Sequence, residues 1–113
     1  MSDRYDLVLD SGADATRLFV IVDSCGTPLN LTDYTARMQI RPTRSSDQVL
    51  DECTTENGRL KFVDGGLLLE MTDEATDNLH VSHAVYDIEI ISPEGRVTRL
   101  VEGRVITRQG VTR

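Results

Sequence analysis

The feature that most constrains this chain is the stretch from His83 to Thr107, which reads as a long β-hairpin. Its first arm alternates, with Tyr86, Ile88 and Ile90 on one side and Asp87 and Glu89 on the other, the two-residue period of a strand with one buried face. Pro93, Glu94 and Gly95 supply turn chemistry. The second arm puts Val97, Arg99, Val101, Gly103 and Val105 on one face and Leu100 and Ile106 on the other. Such a hairpin presents an apolar face that only a second layer of structure can cover. The rest of the chain is read as that layer.

Tyr5, Leu7 and Leu9 alternate with Arg4, Asp6 and Val8, predicting a first strand over Arg4 to Leu9 that the run Ser11-Gly12-Ala13-Asp14 interrupts. Arg17-Leu18-Phe19-Val20-Ile21-Val22 is nearly continuous in apolar, branched and aromatic residues. It is expected as a strand covered on both faces, at the centre of the core. A turn follows over Asp23 to Pro28, and Leu29, Leu31 and Tyr34 are expected to plug one end of the fold. Ala36, Met38 and Ile40 alternate with Arg37, Gln39 and Arg41, a strand with one wet face. A short strand is predicted from Gln48 to Thr54 and a tight turn at Asn57-Gly58, then strands through Leu60 and Phe62 and through Leu67 to Met71 around Asp64-Gly65-Gly66. Thr72 can cap a helical turn over Asp73 to Leu79, with Asp73 and Glu74 at the positive end of the dipole. Seven or eight short strands at regular spacing plus one helical turn make an all-β sandwich.

At 113 residues the chain reads as one domain spanning 1–113, large enough to fold without metals or disulfide staples. Cys25 and Cys53 are too few for a disulfide framework and are expected as thiols. Net charge is −7, which disfavours nucleic acid and anionic membranes as partners. That charge is unevenly placed: residues 1–95 carry 7 basic against 18 acidic groups, while residues 96–113 carry five arginines against Glu102 alone. Two readings follow, a last strand lying beside acidic ones or a basic arm docking on an acidic neighbour. No apolar run approaches the length that spans a bilayer, and MSDRYDLVLD lacks the layout of a signal peptide, so a protein made in the cytoplasm is expected.

Candidate chemistry is sparse. His80 and His83 lie three apart but lack a third ligand at metal-like spacing. Asp6, Asp10, Asp14 and Asp23 miss the calcium-loop spacing, and a solvated acidic edge is the simpler reading. Cys25 and Ser11 have no recognisable histidine partner, and Gly65-Gly66 is not followed by a phosphate-loop pattern. With no tryptophan and five other aromatics, a base- or sugar-stacking platform is not expected. The expectation is a non-enzymatic protein with no cofactor and no small-molecule substrate, recognising protein through its edges.

A family resemblance adds to this. An apolar strand precedes DSCGTPLNLTDYTARMQIRP, then come ENGRL, GGLLLEMTDEAT, VYDIEI, EGRVTRLVEGRV and a terminal VTR. This order resembles a set of small tailed-bacteriophage virion proteins that carry a D-x-x-G-x-P-x-x-L-T-x-Y/A element, a strand near Y-D-L/I-E and a closing R-L-x-x-G-x-V strand. It is also similar to the N-terminal domain of BppU-type upper-baseplate proteins. The resemblance implies an Ig-like antiparallel sandwich and a multi-copy structural role in the virion, docked on other phage structural proteins after synthesis in the host cytoplasm. Baseplate proteins of that type continue into long C-terminal parts, whereas this chain stops at Arg113, so a free-standing capsid decoration or cement protein, or a tail or baseplate accessory, is expected. The alternative is a non-virion phage module, an assembly factor or host-protein inhibitor. Candidate contact residues are Tyr5, Asp6 and Leu7, which could add a strand to a partner sheet, and Arg99, Arg104 and Arg108, suited to acidic patches.

Overall fold

The computed structural model describes residues 3–21, 25–26, 31, 33–63, 66–77, 79 and 82–108. In chain order the elements are β1 (Asp3–Arg4), β2 (Leu7–Asp10), β3 (Ala15–Val20), β4 (Thr35–Arg41), β5 (Asp51–Thr54), β6 (Leu60–Val63), β7 (Gly66–Met71), α1 (Asp73–Asp77), β8 (His83–Ile91) and β9 (Val97–Arg108). They form two sheets, a large one ordered β1-β9-β8-β4-β5 with β2 also on β9, and a small one ordered β3-β7-β6. Taking β3 as the second strand of an immunoglobulin domain, the small sheet keeps the B-E-D order. The large sheet keeps C-F-G, with β5 as an added strand beside β4. The expected Ig-like sandwich is therefore the observed fold. Its described pairings are antiparallel except at the N-terminus, where β1 and β2 run parallel to β9.

The alternation of the hairpin does what its period requires. Tyr86, Ile88 and Ile90 on β8 and Val101 and Val105 on β9 face the other sheet, and Leu7, Met38, Ile40, Leu69, Ile88 and Val105 are each 1% exposed or less. One detail of the second arm differs. Ile88 stands opposite Val101 but Glu89 opposite Arg99, so Leu100 is the extra residue of a β-bulge. The bulge flips the strand's parity, moving Arg99 and Val97 onto the outer face beside Glu89 and Ile91.

The apolar run at 17–22 is corrected more substantially. Arg17 to Val20 lie in β3, which is an edge strand of the small sheet rather than the centre of the core, and Val22 lies outside the described residues. Leu18 is 53% and Val20 68% exposed, while Phe19 and Ile21 pack inward. The predicted first strand is split into β1 and β2, and the strand expected from Gln48 begins at Asp51. Leu31 and Tyr34 do pack against the core; Leu29 lies outside the described residues. Gly58 takes φ +80° in the turn after β5, as the Asn-Gly pair predicts.

The helix is shorter than expected. The Thr72 hydroxyl accepts the Ala75 N–H at 3.2 Å, the predicted cap, and the Asp14 carboxylate accepts the Asp73 N–H at 2.7 Å. At the other end the Leu79 N–H turns back to the Thr76 carbonyl, a tightened last turn that ends the helix.

Candidate docking surfaces

The N-terminal strand is attached to β9 by more than a ladder. Leu7 to Asp10 pair with Val105 to Arg108, and Asp3 and Arg4 with Val101 and Glu102. Between the two short strands, Tyr5 and Asp6 lie against Gly103 and Arg104. The Tyr5 N–H donates to the Glu102 carbonyl at 2.9 Å. The Tyr5 carbonyl lies so close over Gly103 that an added Cβ there would sit 2.1 Å from its oxygen, which only glycine permits. Tyr86, opposite Gly103 on β8, reaches across this gap and donates its hydroxyl proton to the same carbonyl. Asp6 then takes over where the main-chain ladder breaks. Its Oδ1 accepts the Arg104 main-chain N–H at 3.0 Å, standing in for a carbonyl, and its Oδ2 meets the Arg104 guanidinium at 3.2 Å. The main-chain N–H of Arg104, followed by its side chain, holds the Asp6 carboxyl below its ordinary value. Burial pushes the Tyr86 phenol well above its ordinary value.

Two of the sequence elements behind the family resemblance thus meet in space. Tyr86 opens Y-D-I-E and Gly103 lies in R-L-x-x-G-x-V, and the register places them opposite one another. Their relation was not visible in the sequence, because it depends on which residues the strands bring side by side.

The six candidate contact residues all lie on or beside this flank. Leu7 is fully buried and belongs to the core. Tyr5 is 45% exposed and meets Phe19 edge to face at 5.7 Å. Each of the three arginines faces a carboxylate of the same chain: Arg104 meets Asp6, Arg108 meets Asp10 at 2.9 Å, and Arg99 meets Asp87 at 3.5 Å and Glu102 at 3.8 Å. Arg99, Arg104 and Arg108 of the basic C-terminal segment therefore lie beside acidic residues of their own fold.

The outer face of the large sheet continues this pattern. Arg37 bonds Glu89 at 3.0 Å, Arg44 bonds Glu102 at 3.1 Å and Gln39 bonds Glu52 at 2.7 Å. An open depression of about 290 Å³ on this face is lined by Arg41, Arg44, Asp87, Glu89 and Arg99 among others. Burial raises the Asp87 carboxyl above its ordinary value although Arg99 pulls the other way. These exposed pairs fix side-chain positions more than they add stability.

The remaining candidates are quickly placed. Burial pushes the Cys53 thiol up to about 12, Cys25 is exposed, and the two are not bridged. The Ser11 hydroxyl donates to Asp77, and Asp14 caps α1. His83 opens β8 with Nδ1 3.1 Å from the Ser82 hydroxyl; His80, Asp23 and Gly65 lie outside the described residues. Among the described residues no group of three metal-ligating side chains converges, and no helix is long and apolar enough to cross a membrane.

The feature missed in the sequence is on the small sheet. Arg17, Leu18 and Val20 line its open edge, and Val63 on the same outer face is 42% exposed. The signal was present as the alternation of Arg17 and Phe19 with Leu18 and Val20, hidden inside a run that looked uniformly apolar. Compared with models of known protein families and with curated proteins, the chain matches none.

Proposed function

We propose that this domain is a non-enzymatic docking module, a structural component of a tailed-bacteriophage virion that attaches as a capsid decoration or as a tail or baseplate accessory. The observation that carries this reading is the Tyr86–Gly103–Tyr5 clasp. Motif residues on which the phage resemblance rests are the ones that lock the N-terminal strand onto an Ig-like sandwich. The wider disposition of charge agrees with it, since the strand arginines Arg37, Arg99, Arg104 and Arg108 each meet a carboxylate of a neighbouring segment. A rigid sandwich repeated on a lattice gains affinity through many modest contacts, so each copy needs only a few complementary edges.

Mass spectrometry of purified intact particles tests this. The chain is expected in stoichiometric amounts with the major structural proteins. Its absence from particles, together with capture of a host protein in stoichiometric complex, would replace the virion role with that of a non-virion binding module.

A further inference from the structure

The edge of β3 is built to receive one more strand. Thr16 pairs with Glu70 on β7, and the Glu70 N–H is directed to the other side, to the Arg59 carbonyl at 2.9 Å. Glu70 therefore turns its main chain toward β6, and Thr16 turns its own away from β7. The Phe19 carbonyl, by contrast, points at Gly66 on β7, where an added Cβ would lie 2.4 Å away. By alternation, the N–H and C=O groups of Leu18 and Val20 face outward, and among the described residues no hydrogen bond reaches them from that side. Beside them is a depression of about 460 Å³ lined by Arg4, Tyr5, Arg17, Phe19, Val20 and Leu100.

Arg17 sets what this edge accepts. Its guanidinium donates to the carbonyl oxygens of Val8 and Thr16, both at 2.8 Å, bridging the two sheet edges. Unlike Arg99, Arg104 and Arg108, it has no carboxylate within ion-pair distance among the described residues. A cation held at a sheet edge and paired only with neutral oxygens is complementary to an incoming carboxylate.

We infer that β3 binds an extended segment of another protein in which aliphatic side chains alternate with carboxylates, by strand addition. Main-chain bonds to Leu18 and Val20 supply affinity, Arg17 at the depression selects the acidic residue, and the exposed side chains of Leu18 and Val20 meet the alternate aliphatic ones. A second copy of this chain is the poorer occupant. Its β3 carries no acidic residue to offer Arg17 and brings a second arginine instead. Face-to-face packing on Leu18, Val20 and Val63 alone would fall far short of the ~800 Å² per partner of a standard interface. The inference rests on the docking-module reading, but it is tested apart from the virion assignment: failure of the peptide experiment leaves the particle analysis untouched, and the reverse also holds.

The probe is a capped, fluorescent six-residue peptide alternating aspartate with valine, titrated into the full chain, with amide NMR shifts followed in parallel. Saturable binding is expected, with the largest shifts at Leu18 and Val20. Exchanging the aspartates for lysines should weaken it at least tenfold, and so should Arg17→Glu. Val20→Pro removes an edge N–H that the protein's own ladder does not use, so it should fold and still lose binding. No saturable binding at about 1 mM peptide, equal binding of the lysine peptide, or concentration-dependent shifts at Leu18 and Val20 without peptide would each overturn it, the last by making a second copy the occupant. The wild-type comparison of the two peptides decides the charge question even if either variant is unfolded.

Discussion

The two sheets end side by side along one flank, and their last strands are finished in opposite ways. On the large sheet, the N-terminal strand is fastened by the Tyr86 hydroxyl, by both oxygens of Asp6 and by the Asp10–Arg108 pair, with Gly103 cut away to admit it. On the small sheet, β3 has a partner on one side only among the described residues, and its outward side chains Leu18 and Val20 remain exposed. A closed edge uses its polar groups within the chain, as the Tyr86 hydroxyl, the Arg104 N–H and the Arg108 guanidinium do here. An open edge keeps donors and acceptors in reserve, at the risk of indiscriminate pairing. A single arginine at the seam moderates that risk by bonding to both edges.

The strongest way to break the contrast is to spoil the close approach at Gly103. Gly103→Ala would place a methyl group 2.1 Å from the Tyr5 carbonyl oxygen, where main chain rather than a flexible side chain must move. A loss of about 3 kcal/mol is expected, read as a lower urea midpoint, with amide exchange accelerating first in the N-terminal strand. Next in size is a matched pair of truncations. Leu7→Ala on the closed edge empties a fully buried site and should cost about 3 kcal/mol. Leu18→Ala on the open edge, at 53% exposure, should stay within about 0.5 kcal/mol. Equal losses would mean that β3 is as buried as the sequence first suggested.

That first suggestion failed for a physical reason. In Arg17 to Val22, apolar side chains occur at both parities, so the run fits a strand covered on two faces as well as an edge strand with exposed aliphatics. Which one forms depends on whether another segment reaches the outer face, and among the described residues none does. The bulge at Leu100 was equally hidden, because it follows from the registry of Val101 with Ile88 and carries no local glycine signal. By contrast, the hairpin, the Thr72 cap and the Asn57-Gly58 turn rest on interactions within a few residues, and these were legible. The arginines fell between the two cases. Their excess at the C-terminus was plain, but whether it faced another subunit or Asp6, Asp10 and Asp87 required the fold.

Tyr86→Phe sharpens the comparison at intermediate size. It keeps the ring, which is 4% exposed, and removes the hydroxyl that serves the Tyr5 carbonyl. One lost hydrogen bond with an acceptor left partly covered should cost about 1 kcal/mol, a fall in Tm of about 4 °C by calorimetry. No change would mean that the clasp is a by-product of packing rather than a fastening.

Asp6→Asn is expected to have the smallest effect and separates the charge of the clasp from its shape. Asparagine keeps an acceptor for the Arg104 N–H and gives up the ion pair. In the folded protein the Asp6 carboxyl lies below its ordinary value of 3.8, so the ionised form adds stability that is present above that value and disappears as the pH falls through the folded-state value. The wild type should therefore lead the variant in urea midpoint at neutral pH. That lead should shrink as acid is added and narrow with salt, because the carboxylate is reached by solvent. A lead that stays unchanged as the pH is taken progressively further below 3.8 would show that the shape of the Asp6 side chain, and not its charge, keeps the N-terminal strand on β9.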